Sequence, residues 1–538
     1  MSRGDAHVLD GRGVAESSAL LPAETKLVAG CCSGRRCCIA CGLVALFLAV
    51  AGFACACAYA LIVAVRQSEV VASNPTPITG QTFGSDYCMG LVDRLASLGE
   101  LVPGRSYDED FPPNFSSIGE GRCGDVAAGK RGGCSKYDHW VSVHDVAQSL
   151  GRSFSVLKPG STSFRDVYQG DIGNCYFLAA LASVAYISPH LIERMFVRRH
   201  LWNDNIFTTQ WYINGEPMLM EVDDMIPGDC NSSDTCPFFG KLARNGTGQF
   251  WPIILEKSWA KIHSSYKAIE EGRWENAVAA ITGAPVRAML HRSPFESALQ
   301  AYVQGHDRES KDKLWIAMRE ATARKLPMGS MTDRETQFNT AWSLGIAPYH
   351  VYSVLAVDTM EPYQRVVRLY NPWGNDFYKG LVPNADETDG NFTMTFDEYF
   401  DKFFITSFGD VKPGYVVTSQ VFGRGETVMR STLDARDVDD TFFVSISWPG
   451  HRLMRPCRRL EPEVLLEVSL HGSHSKSLGV KTSPFVNNVV AEITSGQGRY
   501  NVAASARFAS AVFDGELVLT VYAPSRVEIH TDPVRDAT

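Results

Sequence analysis

Three widely separated side chains carry the chemistry in this sequence. Cys175 follows the glycine-bearing run Gln169-Gly170-Asp171-Ile172-Gly173-Asn174 and opens an apolar stretch through Leu178, Leu181 and Val184. Apolar residues on every face of that stretch predict a fully buried helix, with Cys175 at its mouth. Unpaired N–H groups and the positive end of the helix dipole favour a thiolate over a thiol there. A thiolate nucleophile needs a base, and the base needs an orienting group. His350 and Asn371 are of the right type for these two roles. Gln169, on the loop leading into the helix, is a neutral amide donor able to face an oxyanion beside Cys175.

The elements that must position these groups are legible nearby. His350 opens the alternating segment Val351-Tyr352-Ser353-Val354, which predicts a strand. Asn371 ends a second such segment, Arg365 to Tyr370, and Pro372-Trp373-Gly374 marks a turn. A histidine and an asparagine at neighbouring strand ends can meet over a cysteine at a helix start. Taken alone, Cys175 reads almost equally well as an inert core cysteine; the other groups shift that balance.

Cys, then His, then Asn is the chain order of papain-like proteases. Gln-Gly-x-x-Gly-x-Cys-x-x-Leu-Ala-Ala, His-x-Tyr-Ser-Val and Asn-Pro-Trp-Gly together resemble the calpain family of cysteine proteases. Phe111-Pro112-Pro113 resembles its opening segment, and Val222-Asp223-Asp224-Met225-Ile226-Pro227 its Val-Asp-Asp-x-x-Pro strand. Phe250-Trp251-Pro252-Ile253-Ile254-Leu255-Glu256-Lys257 resembles its Phe-Trp-x-x-Leu-Leu-Glu-Lys helix. The resemblance implies a two-part protease core with its cleft between the parts. It also implies hydrolysis through an acyl-enzyme, with Cys175 as nucleophile, His350 as base and acid, and Asn371 fixing the imidazole. Gln169 and the Cys175 backbone N–H would hold the oxyanion, and Trp373 would shield the Asn371–His350 hydrogen bond.

The sequence departs from the family in three places. Tyr349 replaces a small glycine before the histidine and narrows the expected cleft. Asn174 and Tyr176 replace the usual aspartate and tryptophan beside the cysteine. The third departure concerns the two calcium ions that the family's core binds. Asp166 matches one ligand of the first site, but Gln249 stands where the family has a glutamate. At the second site Phe377 and Asn391 replace glutamates and only Asp389 survives. Calcium prefers several carboxylates, so calcium activation is expected to be weak or absent, with Asp166 paired to a basic neighbour. No cofactor is expected.

The 538 residues suffice for several domains, the hydrophobic content of 45% is ordinary, and a net charge of −9 gives no reason to expect nucleic acid. The fold class reads as α+β, a papain-like/calpain two-subdomain core preceded by one transmembrane helix and followed by a β-sandwich. Residues 1–36 read as a polar, Cys-rich tail, 37–65 as the transmembrane helix and 66–105 as a stalk carrying a short helix from Asp86 to Leu101. Residues 106–411 read as the catalytic domain, with a mostly helical Cys part (106–262) and a His/Asn part on an antiparallel sheet (263–411). Residues 412–538 read as the sandwich. Its alternating segments are Tyr415–Val421, Thr441–Ile446, Val464–Leu470, Val489–Ile493, Phe508–Phe513 and Leu517–Tyr522. No EF-hand pattern occurs.

Cys37 to Val65 carries no charge and is long enough to span a bilayer. Lys26, Arg35 and Arg36 precede it and only Arg66 follows closely, so the positive-inside rule places the N-terminus in the cytoplasm and the catalytic domain on the exoplasmic side. A cytosolic catalytic domain, as in most calpains, is the alternative. Cys31, Cys32, Cys37, Cys38 and Cys41 are candidate palmitoylation sites. Cys88, Cys123, Cys134, Cys230, Cys236 and Cys457 form an even set beyond the helix, with Cys123/Cys134 and Cys230/Cys236 spaced for small disulfide loops. Sequons at Asn114, Asn231, Asn245 and Asn391 fit an exoplasmic domain. The expected function is a membrane-anchored cysteine endopeptidase acting on proteins. The alternative is a silent calpain-fold scaffold at a membrane. An acyltransferase of the transglutaminase type, with order Cys, His, Asp, is disfavoured by Asn371.

Overall fold

The computed structural model describes residues 108–119, 139–151, 155–197, 205–230, 237–242, 248–293, 308–332, 344–422, 428–448, 463–471, 476–480, 487–494, 497–507 and 517–531. The chain divides into two compact units, 1–76 and 77–538, and every described residue belongs to the second. The tail, the membrane segment 37–65, the stalk and the Phe508–Phe513 segment lie outside the described residues. Among the described residues no single helix is long and apolar enough to cross a membrane.

Helix α1, Cys175–Ile187, is the axis of the first part. Every residue from Tyr176 to Ala185 is buried, because its sequence offers no polar stripe to turn toward water. Helix α2, Trp251–Ile262, packs beside it and is also buried throughout. Phe177 stacks on Trp259 at 5.3 Å with an interplanar angle of 3°, and offset aromatic pairs of this kind add about 0.5–1.5 kcal/mol to area burial. The two lysines of α2 enter this core paired: Lys261 Nζ donates to Asp108 at 2.7 Å and Lys257 Nζ to Asp223. Helix α3, Trp274–Thr282, completes the packing against α1. A hairpin of β1, Ile206–Ile213, and β2, Glu216–Asp223, covers α2 and α3.

The second part is a six-stranded antiparallel sheet. Its strands are β3 Val286–Leu290, β4 Met328–Thr332, β5 Val351–Met360, β6 Gln364–Tyr370, β7 Asn391–Thr395 and β8 Phe403–Gly409. Their order is β7-β6-β5-β4-β8-β3. Strand β5 is apolar from Val351 to Leu355 apart from Ser353 and is buried on both faces, with α1 against one face and a cluster containing Tyr352, Val354 and Phe403 on the other. Ser353 Oγ donates to the Ala179 carbonyl of α1 at 2.8 Å, and Tyr370 Oη to the Val167 carbonyl at 2.6 Å. These bonds dock the sheet on the first part.

The C-terminal region is all β. One sheet has β9 Val416–Val421, β11 Phe442–Ser447, β14 Asn488–Ile493 and β16 Val518–Ala523, in the order β9-β16-β11-β14. The other has β10 Val428–Asp434, β12 Glu463–Leu470, β13 Lys476–Val480, β15 Arg499–Arg507 and β17 Glu528–Thr531, in the order β13-β12-β15-β10-β17. Alternate residues of both sheets, among them Val444, Leu519, Leu433, Leu466 and Val502, share one core, which is a sandwich.

Candidate active site

Cys175 is the first residue of α1, half-buried and a free thiol. Asn174 precedes it without capping the helix; its Nδ2 donates instead to Glu256 of α2 at 2.7 Å. The Gly240 N–H donates to the other Glu256 oxygen at 2.7 Å. Burial pushes the Glu256 carboxyl up to about 7, against the pull of those two bonds. The Glu-Lys helix of the sequence therefore anchors the residue beside the nucleophile, a role the motif alone did not disclose.

His350 stands one residue before β5 and Asn371 one residue after β6. The antiparallel pairing of these strands, with Tyr370 opposite Ser353, brings the two together. His350 Nε2 meets Asn371 Oδ1 at 2.8 Å, and the same oxygen accepts the Trp373 N–H at 3.1 Å. The Trp373 ring centroid lies 4.3 Å from that of the imidazole, and Tyr352 meets the imidazole edge-on at 4.9 Å. His350 is 3% exposed. Burial pushes it down to about 4, with the Asn371 bond opposing.

The thiol differs from the expectation of a stabilised thiolate. Burial pushes Cys175 up to about 11, and the backbone N–H groups of Val351, Tyr176 and Cys175 recover only part of that. Losing water outweighs the helix terminus here. Among the described residues no hydrogen bond joins Sγ to the His350 ring.

Gln169 reaches the site differently from the expectation too. Its Nε2 donates to the Ile172 carbonyl at 2.5 Å, its backbone N–H to the Pro372 carbonyl at 2.7 Å, and its buried Oε1 has no partner. One amide hydrogen is thus left for an oxyanion. Gly374, at φ +68°, lets the Trp373 turn pass Tyr168, whose ring a Cβ would approach to 2.7 Å. Tyr349, 39% exposed, takes φ +48°, a conformation glycine adopts freely and tyrosine does not.

The positions matching calcium ligands separate into two cases. Gln249 Oε1 accepts the Lys158 N–H, and its Nε2 donates to the Ser161 carbonyl at 2.9 Å. Asp166 Oδ2 accepts the Trp251 indole N–H at 3.0 Å and the Ser163 N–H at 3.1 Å. At the second position Phe377 is 41% exposed and Asp389 pairs with Arg165 at 3.6 Å. The sequence reading passed over Asp376, a buried carboxyl beside Phe377 pushed up to about 6 by burial and by Asp389 and Glu387. Among the described residues no group of three or more His, Cys, Asp or Glu side chains is arranged to hold a metal ion.

Comparison with known proteins agrees with this geometry. The family profile "Calpain family cysteine protease" matches residues 107–407. The calpain-type cysteine protease DEK1 of Zea mays is 29% identical over 238 residues, 44% of this chain and 10% of that protein. Calpain-13 of Rattus norvegicus is 28% identical over 338 residues, 58% of this chain and 45% of its own length. This chain thus spans a tenth of the plant relative and under half of the rat one. A clostridial cysteine protease, Cwp84, aligns over 73% of this chain and 88% of its own with 9% identity and a TM-score of 0.20, too low to argue from.

Proposed function

The chain belongs to the calpain family of cysteine proteases, and on that premise we propose that it is an endopeptidase that cleaves proteins through Cys175, His350 and Asn371. The observation carrying this reading is the 2.8 Å bond from His350 to Asn371 under Trp373, which commits the imidazole to present its other nitrogen as a base. His350 takes the thiol proton as Cys175 attacks the carbonyl, then protonates the leaving amine. The Cys175 N–H and the free Gln169 amide hydrogen receive the oxyanion. Water completes the second half by the same route in reverse.

Calcium does not fit the first position. The Gln249 amide already makes the bonds there and turns a donor to the Ser161 carbonyl. The two parts are also docked directly, by Ser353 to Ala179, Tyr370 to Val167 and Gln169 to Pro372. Both observations support activity without calcium.

The anchor and its topology belong to the proposal. We read 37–65 as a membrane helix with the protease exoplasmic. Cys230 is disulfide-bonded, which favours an oxidising compartment. Asn391, the first residue of β7, supports that side less than its sequon implied, because its Oδ1 is buried.

A second reading, the silent scaffold, is favoured by one observation: Cys175 and His350 share no hydrogen bond, and both are held neutral. Hydrolysis of a fluorogenic peptide mixture by the full chain in detergent separates the two. The expected result is activity abolished by Cys175→Ala and unchanged by a chelator. Loss on chelation overturns the calcium reading; silence from the folded protein favours the scaffold.

A further inference from the structure

Two of the four sequons in this chain, at Asn114 and Asn391, fall within the described residues. As sequence they are equivalent: Asn114-Phe115-Ser116 and Asn391-Phe392-Thr393 each place a hydroxyl two residues after the asparagine. The structure separates them. A glycan is bulky and belongs at the surface, so the asparagine that carries one needs an exposed side chain with its amide nitrogen free.

Asn114, Phe115 and Ser116 are all exposed. Phe111 before them and Ser117 and Ile118 after them are buried. Ser117 Oγ donates to the Pro112 carbonyl at 2.7 Å, and the Ser117 carbonyl accepts the Tyr266 N–H at 2.9 Å. The sequon is thus a short exposed arch tied down beyond both ends. Within it, Asn114 Oδ1 accepts the Ser116 N–H at 2.9 Å and the Ser116 hydroxyl at 2.7 Å. Both bonds go to the amide oxygen. Among the described residues Asn114 Nδ2 has no hydrogen-bond partner, so its two donors are available. Asn391 is placed otherwise. It opens β7 opposite Tyr370, is half-buried, and its Oδ1 is buried without a partner. Thr393 lies further along the same ladder, opposite Arg368.

We propose that Asn114 carries an N-linked glycan and that Asn391 does not. The donor is an oligosaccharide held on a lipid diphosphate. Asn114 Nδ2 bonds to the anomeric carbon of the first sugar, and the bond from that carbon to the diphosphate oxygen breaks. The lipid diphosphate leaves with the electron pair, and the amide gives up one proton to a base of the transferase. Nothing is oxidised or reduced. Oδ1 keeps both of its bonds to Ser116, so the folded arch accepts the modification unchanged. Phe115, 56% exposed beside the acceptor, gains cover from water under the attached sugar.

The proposal rests on the exoplasmic placement of the protease, and the chain offers a reporter for that placement. Asp386, Glu387 and Thr388 are exposed, and Asp386 Oδ1 accepts the Thr388 N–H at 2.9 Å and the Thr388 hydroxyl at 2.6 Å. Ser116 gives Asn114 the same pair of bonds. Asp386→Asn completes a sequon in that setting.

The test is expression of the full chain in a eukaryotic secretory system. The mass of each sequon peptide is read after treatment with peptide-N-glycanase, which leaves aspartate where a glycan stood. The expected result is a modified Asn114 peptide, an unmodified Asn391 peptide and a second glycan in the Asp386→Asn variant. Asn114→Gln is expected to abolish the modification there, and Asn391→Gln to change nothing. Ser116→Ala keeps the amide, removes only the hydroxyl, and is expected to abolish the modification too; it serves should Asn114→Gln fail to fold. Ser116→Thr is expected to retain the glycan. None of these readings uses catalytic activity. A glycan in the Asp386→Asn variant with none at Asn114 overturns the proposal and leaves the exoplasmic placement standing. No glycan at any sequon, the reporter included, overturns both. A modified Asn391 peptide overturns the distinction between the two sites.

Discussion

The two parts of the core reach the cleft in different states. On the sheet side, His350 and Asn371 are already bonded, stacked under Trp373 and flanked by Tyr352. On the helix side, Cys175 is placed at the start of α1, but its sulfur makes no hydrogen bond to the imidazole. The difference follows from how each is built. The His–Asn pair is set by the register of two hydrogen-bonded strands within one sheet. The thiol must meet its base across a boundary between separately packed cores. Register is fixed by a ladder of backbone bonds; a boundary has only the side chains that cross it.

If the sheet side is the finished half, disturbing it has the largest effect. Asn371→Ala removes the group that fixes the imidazole. It is expected to lower kcat/KM of peptide hydrolysis by about 10²–10⁴-fold with KM little changed. A loss confined to KM, or no loss, would mean that the bond is structural and the comparison fails.

A smaller effect tests the helix side. Both groups are held neutral by burial, the thiol at about 11 and the imidazole at about 4. A histidine of ordinary pKa would be protonated at pH 5 and cost about 30-fold in activity. Here the base stays neutral, so kcat/KM is expected to hold between pH 7 and 5 and to fall only as pH approaches 4. Alkylation of Cys175 by iodoacetamide should keep rising with pH toward 11. A plateau near neutral pH would show a preformed thiolate–imidazolium pair and erase the contrast between the two sides.

How far the sequence disclosed this depends on the kind of signal. Cys175 at a helix start and His350 and Asn371 at strand ends were readable because glycines, a Pro-Trp-Gly turn and alternation are local. The buried α1 was equally plain from its unbroken apolar run. Non-local facts were hidden. That Glu256 receives Asn174, and that Gln249 bridges Lys158 and Ser161, depends on residues far apart in the chain. The thiol's neutrality was missed because the helix-terminus argument is local and desolvation is set by the whole fold. In the sandwich, β15 escaped notice: Ala503-Ala504-Ser505-Ala506 has little apolar contrast between its faces, although Val502 and Ala504 are buried. The carboxyl of Asp376 was overlooked because it stands one residue from the family position.

The smallest effect concerns the joint between the two sides. Tyr349 leads into His350 at φ +48°, where a side chain costs about 1–3 kcal/mol that glycine does not pay. Tyr349→Gly relieves that strain but also frees the unfolded chain, which offsets about 0.4–1 kcal/mol. The net expectation is a gain of about 1 kcal/mol in unfolding free energy, read from the denaturant midpoint at unchanged slope. Removing a half-exposed ring beside the cleft also widens the approach to His350. kcat/KM for substrates with bulky side chains is therefore expected to rise, with little change for small ones. If stability falls and selectivity stays the same, the tyrosine is packed for structure, and the boundary between the two sides is held by it.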